Sequence, residues 1–129
     1  MKKLPINLWW SYGKGDSASY DTDVECSDEL FNCIKDLYNS ENGIEFHMDL
    51  IDYPIESKTL YDELQIIREN VYSEFKEVER NNWDDYLKEN NPDYENFDSY
   101  FEDYFEAYLM REIRVNPWYD FNIENIKYK

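Results

Sequence analysis

Glycine, cysteine, histidine and basic residues are all scarce in this 129-residue chain, and each scarcity removes a class of function. Three glycines and scattered serines leave little for substrate cradles or nucleophile elbows. Two cysteines, Cys26 and Cys33, cannot build a disulfide framework, and no C-x-x-C pair points to zinc. The single histidine, His47, leaves no His-based metal cluster; its expected state is an exposed imidazole on the polar side of a strand. No apolar run approaches a membrane span, and MKKLPINLWWSYGKGD has too short and interrupted an apolar stretch for a signal peptide. Residence is expected to be cytoplasmic. Above all, 13 Lys and Arg stand against 30 Asp and Glu, a net charge of −17. A basic nucleic-acid binder is thereby excluded, as is docking on an anionic membrane.

What is present is a globular composition, 42% hydrophobic and 19% aromatic, in a chain of one-domain size. Leu4–Tyr12 and Ala18–Cys26 read as a β-hairpin around Gly13–Asp16, with Ala18, Tyr20, Thr22, Val24 and Cys26 alternating against polar neighbours. Ser27 is placed to cap a helix that opens on Asp28-Glu29 and buries Leu30, Phe31, Ile34 and Leu37. Asn42-Gly43 ends it, and Ile44–Ile51 alternates as a third strand that Pro54 breaks. From Ser57 to Arg80, Leu60, Leu64, Ile67, Val71, Phe75 and Val78 fall at helical steps. A short helix comes next at Trp83–Glu89, then a break at Asn90-Asn91-Pro92, and a last helix to about Ile113, stopped by Asn116-Pro117. Tyr119, Phe121 and Ile123 could add an edge strand. The expected fold is α+β: a small antiparallel sheet packed with three to four helices in a single domain.

The stretch from Asn81 to Tyr108 is the unusual one. Nine carboxylates stand there against one lysine, Lys88, interleaved with nine aromatics. A disordered acidic tail would lack such apolar surface, so the segment is expected to fold. Phe97, Phe101, Tyr104 and Tyr108 recur at three and four residues, one helical face. Asp98, Glu102 and Glu106 recur at four on another face, about 6 Å apart and mutually repelling by a few tenths of a kcal/mol per pair. A second row, Asp21, Asp23 and Glu25, steps along the hairpin by about 6.6 Å. Both spacings approach that of successive phosphates on a nucleic-acid strand. The plain alternative is a pair of solvated acidic faces over an aromatic core, and Phe97, Phe101 and Phe105 are expected in that core. Trp9, Tyr94, Tyr100 and Trp118 are less easily placed inside.

Other constellations fail on spacing. Gly13-Lys14-Gly15-Asp16-Ser17 lacks the order of a phosphate loop and joins two strands. Asp21-x-Asp23-x-Glu25 begins like a calcium loop, but Cys26 stands where the glycine belongs and Asn32 where the bidentate Glu belongs. Cys26 and Cys33 are expected to be packing residues. No catalytic residue, cofactor or metal is therefore expected. In charge, size and aromatic content the chain resembles the small acidic inhibitors that phages and mobile elements direct against host nucleases, anti-restriction and anti-CRISPR proteins among them. That resemblance implies a non-enzymatic protein that blocks a basic nucleic-acid-binding surface without touching nucleic acid itself. Its expected contact residues are Asp98, Glu102, Glu106, Asp103, Glu95, Tyr94, Tyr100, Asp21, Asp23 and Glu25. An immunity protein against a basic nuclease toxin would use the same electrostatics, and an acidic adaptor would use the charge for solubility alone.

Overall fold

Alternation sets the first elements. The computed structural model describes residues 1–13, 16–39, 53–107, 110–116 and 121–129. Strand β1 (Lys2–Gly13) buries Leu4, Ile6, Leu8 and Trp10 on one face. Strand β2 (Asp16–Cys26) returns antiparallel from Gly13↔Asp16 to Lys2↔Cys26, with a bulge between Ser11 and Gly13. The expected hairpin is present. Ser27 caps helix α1 (Asp28–Asn39) as expected, its Oγ accepting from the Leu30 N–H at 3.1 Å. Leu30 and Ile34 are fully buried, while Phe31 and Leu37 pack on the core margin. The expected strand at Ile44–Ile51, with His47, lies outside the described residues. Strand β3 (Tyr53–Ile55) comes next, and Pro54, expected to break a strand, sits inside it. Proline is tolerated there because Pro54 is exposed and both strands of a two-stranded ribbon are edges.

Helix α2 (Lys58–Asn82) is the scaffold. Its Ser57 cap accepts from the Leu60 N–H at 3.2 Å. Leu64, Ile67, Val71 and Phe75 are buried as expected, but Val78 is 36% exposed. Past Phe75 the inward side of the helix advances in steps of four, through the half-buried Glu79 to the buried Trp83, and so passes Val78 by. The Glu63 carboxylate accepts from the Ser27 N–H at 2.7 Å and its Oγ at 2.6 Å, tying α2 to the start of α1. Glu74 accepts from the hydroxyls of Tyr20 and Thr22, tying α2 to β2. Arg68 is 8% exposed and donates to the carbonyls of Ile123 and Ile126, which holds the C-terminal segment down. The separate short helix expected at Trp83–Glu89 is instead the end of α2, prolonged by a π-helical turn at Trp83–Leu87 and a last α-turn at Lys88–Asn90.

The break at Asn90–Pro92 is where it was expected, and helix α3 (Phe97–Phe101) begins after it, continuing as a π-helical segment at Glu102–Ala107. The expectation that this helix runs to Ile113 is overturned. Met110–Val115 is strand β4, antiparallel to β1 with Leu8↔Ile113 and Ile6↔Val115 in register. Glu112-Ile113-Arg114-Val115 alternates, and pairing beside β1 buries Ile113 and Val115 completely. Continued helix would forgo that burial, and β-branched residues favour the strand. Strand β5 (Phe121–Asn122) is an edge strand on β4 through Val115↔Phe121. Ile123, expected to extend it, starts a 3-10 turn, Ile123–Asn125, while Tyr119 lies outside the described residues. Strand β6 (Ile126–Tyr128) then pairs parallel with β3.

The architecture is α+β: an antiparallel sheet in the order β2-β1-β4-β5, a two-stranded parallel ribbon of β3 and β6, and three helices among the described residues. The core lies between one face of the sheet and the helices. The other face carries Asn7, Trp9, Asp21, Glu112 and Arg114, with the Arg114 guanidinium 4.6 Å over the Trp9 ring and 2.9 Å from Glu112. No helix among the described residues is long and apolar enough to cross a membrane.

Candidate protein interface

The acidic segment is folded by its rings. Asn96 caps α3, its Oδ1 accepting from the Ser99 N–H at 2.9 Å, and sets the phase of the helix behind it. Phe97, Phe101 and Phe105 are then all buried, as expected; Phe101 and Phe105 stack on Phe75 with centroids 5.9 and 4.9 Å away. Phe105 meets Trp10 edge-on at 5.8 Å. The buried face is therefore Phe97, Phe101 and Phe105, and Tyr104, expected with the first two, is 40% exposed. A second tier of rings lies outside the first: Tyr100 against Trp83 at 5.1 Å, Tyr104 against Tyr100 at 4.9 Å, and Tyr94 against both at 5.7 and 5.9 Å. Tyr94 and Tyr100, which the sequence left hard to place inside, are half-buried and pack against the core. Trp9 is likewise half-buried, and Trp118 lies outside the described residues.

The carboxylates stand around this second tier. Asp84, Asp85, Glu89, Asp93, Glu95, Asp98 and Glu102 are exposed and Asp103 is half-buried. The straight row of Asp98, Glu102 and Glu106 is interrupted, because the helix widens to i→i+5 bonding from Glu102 onward. Asp98 and Glu102 keep the α-helical step; only the backbone of Glu106 is described. Arg80 lies 3.8 Å from Asp98 and 3.5 Å from Glu77, and its guanidinium covers the Phe97 ring at 4.8 Å. Lys76 covers Phe101 at 5.2 Å. Two cations of α2 thus rim the aromatic cluster, while the acids project beyond it.

The hairpin row is elsewhere. Asp21, Asp23 and Glu25 are exposed on β2, on the sheet face opposite the helices. Asp21 is bound from below, accepting from Asn7 Nδ2 at 2.8 Å and Asn116 Nδ2 at 3.3 Å. Glu25 lies opposite Lys3 in register. Since Trp10, which receives Phe105, and Asn7, which holds Asp21, project to opposite faces of β1, the two acidic rows cannot meet one flat partner surface. They are separate candidates.

No known family, curated protein or solved structure matches this chain. Its chemistry must be read from the side chains alone. Burial, with Glu63 and Asp28 nearby, pushes the Cys26 thiol up, and burial with Asp36 does the same to Cys33. Both cysteines are free and both thiols are protonated near neutrality, the opposite of an activated nucleophile. Among the described residues no group of three His, Cys, Asp or Glu could hold a metal ion.

One residue escaped the sequence reading. Glu79 is half-buried in line with the buried stripe of α2, four after Phe75 and four before Trp83, and burial pushes its carboxyl up against the opposing influence of the Asn82 amide. Among the described residues it has no ion-pair partner. The signal was available: a carboxylate at a position whose neighbours at plus and minus four are both large aromatics.

Proposed function

We propose that this chain is a non-enzymatic inhibitor, a folded acidic protein that occupies the basic nucleic-acid-binding groove of a nuclease, in the manner of the inhibitors that mobile elements raise against host defence. The observation that supports it is the segment from Asp84 to Asp103, where seven carboxylates are exposed, Tyr94, Tyr100 and Tyr104 cluster ring against ring, and Lys88 is the one basic residue. A groove that binds nucleic acid draws affinity from neutralising phosphates and releasing counterions. Carboxylates accept the same Arg and Lys donors in charge-assisted hydrogen bonds. The net charge of −17 steers encounter at long range, and the tyrosines supply desolvated contact area at its centre. The α3 side is the contact surface. The hairpin row on the far face adds to the field and makes no contact with the same partner.

Affinity capture from a lysate at moderate salt supplies the partner. Competition with labelled duplex DNA and RNA, monitored by anisotropy, is the test. The expected result is stoichiometric displacement of nucleic acid that weakens steeply between about 50 and 200 mM salt. A captured partner that keeps its nucleic acid bound overturns the reading. So does turnover, in which one molecule of this chain inactivates many of its target or leaves a mass shift on it.

A further inference from the structure

Between the two aromatic tiers is a half-open slot that the proposed electrostatics do not use. Glu79 contributes the carboxylate to its lining, and Trp10, Tyr100, Tyr104 and Phe105 are among its rings. Trp10 and Phe105 are 6% and 4% exposed while Tyr104 is 40% exposed, so the slot runs from the core margin to solvent at Tyr104. Its free volume of about 20 Å³ holds one group the size of a water molecule, which needs roughly 10–15 Å³.

We propose that this slot receives the ammonium tip of a lysine side chain presented by the partner. The proposal deepens the inhibitor reading by naming the anchor of that contact. Three features select the occupant. Six of the seven lining residues are aromatic, and ring faces carry negative quadrupole density that attracts cations. The same ring cluster already receives cations from its own chain, Lys76 over Phe101 and Arg80 over Phe97. The Glu79 carboxylate is half-buried and hydrogen-bonded by the Asn82 amide, but among the described residues no cation is paired to it, an arrangement that loses solvation without recovering Coulombic energy until a cation arrives. Water is the poorer ligand because it is neutral: only a cation recovers Coulombic energy from the Glu79 carboxylate and from the surrounding rings. Size then chooses among cations. A primary ammonium matches the space, a trimethylammonium group is several-fold too large, and a flat guanidinium exceeds it as well. The aliphatic stem of lysine would leave past the Tyr104 edge, where its methylenes keep apolar contact.

The deciding titration uses the intact chain without a partner, so that the slot and the inhibitor reading can fail separately; the partner complex is measured apart from it. Carbon-13 NMR at neutral pH and constant ionic strength tracks Glu79 Cδ and the rings of Trp10 and Tyr104 during titration with n-butylammonium, and separately with tetramethylammonium. The expected result is a saturable shift at Glu79 and both rings with butylammonium and none with tetramethylammonium. Glu79→Gln removes the butylammonium response while leaving the spectrum dispersed, and it weakens the partner complex about thirtyfold or more, the loss typical of deleting one member of a desolvated charge pair. Absence of a saturable shift in the wild type overturns the proposal. So do an equal response in Glu79→Gln and an equal response to tetramethylammonium, which would mark loose contact with the exposed Tyr104 ring. If Glu79→Gln does not fold, the wild-type shift at Glu79 Cδ and the comparison of the two cations decide the matter.

Discussion

Replacing Asp98 and Glu102 together, by Asn and Gln, separates a contact surface from a merely solvated one. The effect on stability is set by two opposing charge terms. Two carboxylates one turn apart, about 6 Å, repel by about 0.7 kcal/mol in water, and physiological salt halves this. The substitutions return that small amount. Against it stands the Arg80–Asp98 pair at 3.8 Å, whose side chains are 43% and 73% exposed, a setting in which ion pairs are worth about 0.2–1 kcal/mol. Arg80 keeps its place over Phe97 and beside Glu77, so the loss falls at the low end of that range. The terms cancel to within about 0.5 kcal/mol, and the melting temperature should move by no more than about 3 °C. Binding should behave differently, because each desolvated charge pair truncated costs about 2–5 kcal/mol. The assay is a thermal melt beside nucleic-acid displacement from the partner. Asp21→Ala is the contrasting variant. It removes the acceptor of Asn7, a side chain only 7% exposed, and should cost about 1–3 kcal/mol of stability while leaving displacement intact. A double variant that melts like wild type and still displaces nucleic acid fully refutes the assignment of the α3 face. A Tm lowered by about 8 °C or more refutes the charge arithmetic instead.

Buried charge gives two further expected outcomes. Arg68→Ala leaves the carbonyls of Ile123 and Ile126 without their donor and Glu124 without the stronger of its two cationic influences, and should cost about 3–5 kcal/mol in a urea melt; a change below about 1 kcal/mol would show that the C-terminal segment holds itself. Glu79 and Glu124 are both raised by burial, opposed by the Asn82 amide and by Arg68 and Lys127 respectively, so the folded state binds more protons than the unfolded one above the ordinary carboxylate range. Stability should therefore fall as pH rises through that window, and Glu79→Gln should match wild type below it and exceed it above; parallel melts at every pH would contradict the sign.

Local signals determined much of this protein. The hairpin alternation, the Ser27 and Ser57 caps, the stripe from Leu64 to Phe75, the break at Asn90–Pro92 and the burial of Phe97, Phe101 and Phe105 are each written within a few residues, because caps, periodicity and turn residues act over one or two turns of chain. The acidity of the Asp84–Asp103 surface was equally legible, since charge needs no partner to be counted. Three features belonged to the tertiary structure. Met110–Val115 could continue a helix or form a strand, and only the vacancy beside β1 decides for the strand, through pairing with residues about a hundred positions away. The π-helical segments at Trp83–Leu87 and Glu102–Ala107 shift the helical phase where the rings of α2 and α3 meet, which breaks the regular row of acids that a four-residue step predicts. The Glu79 slot exists only because α2, α3 and β1 bring Phe75, Tyr104 and Trp10 around one carboxylate. A sequence can mark that residue as out of place on its stripe, but packing alone gives it walls.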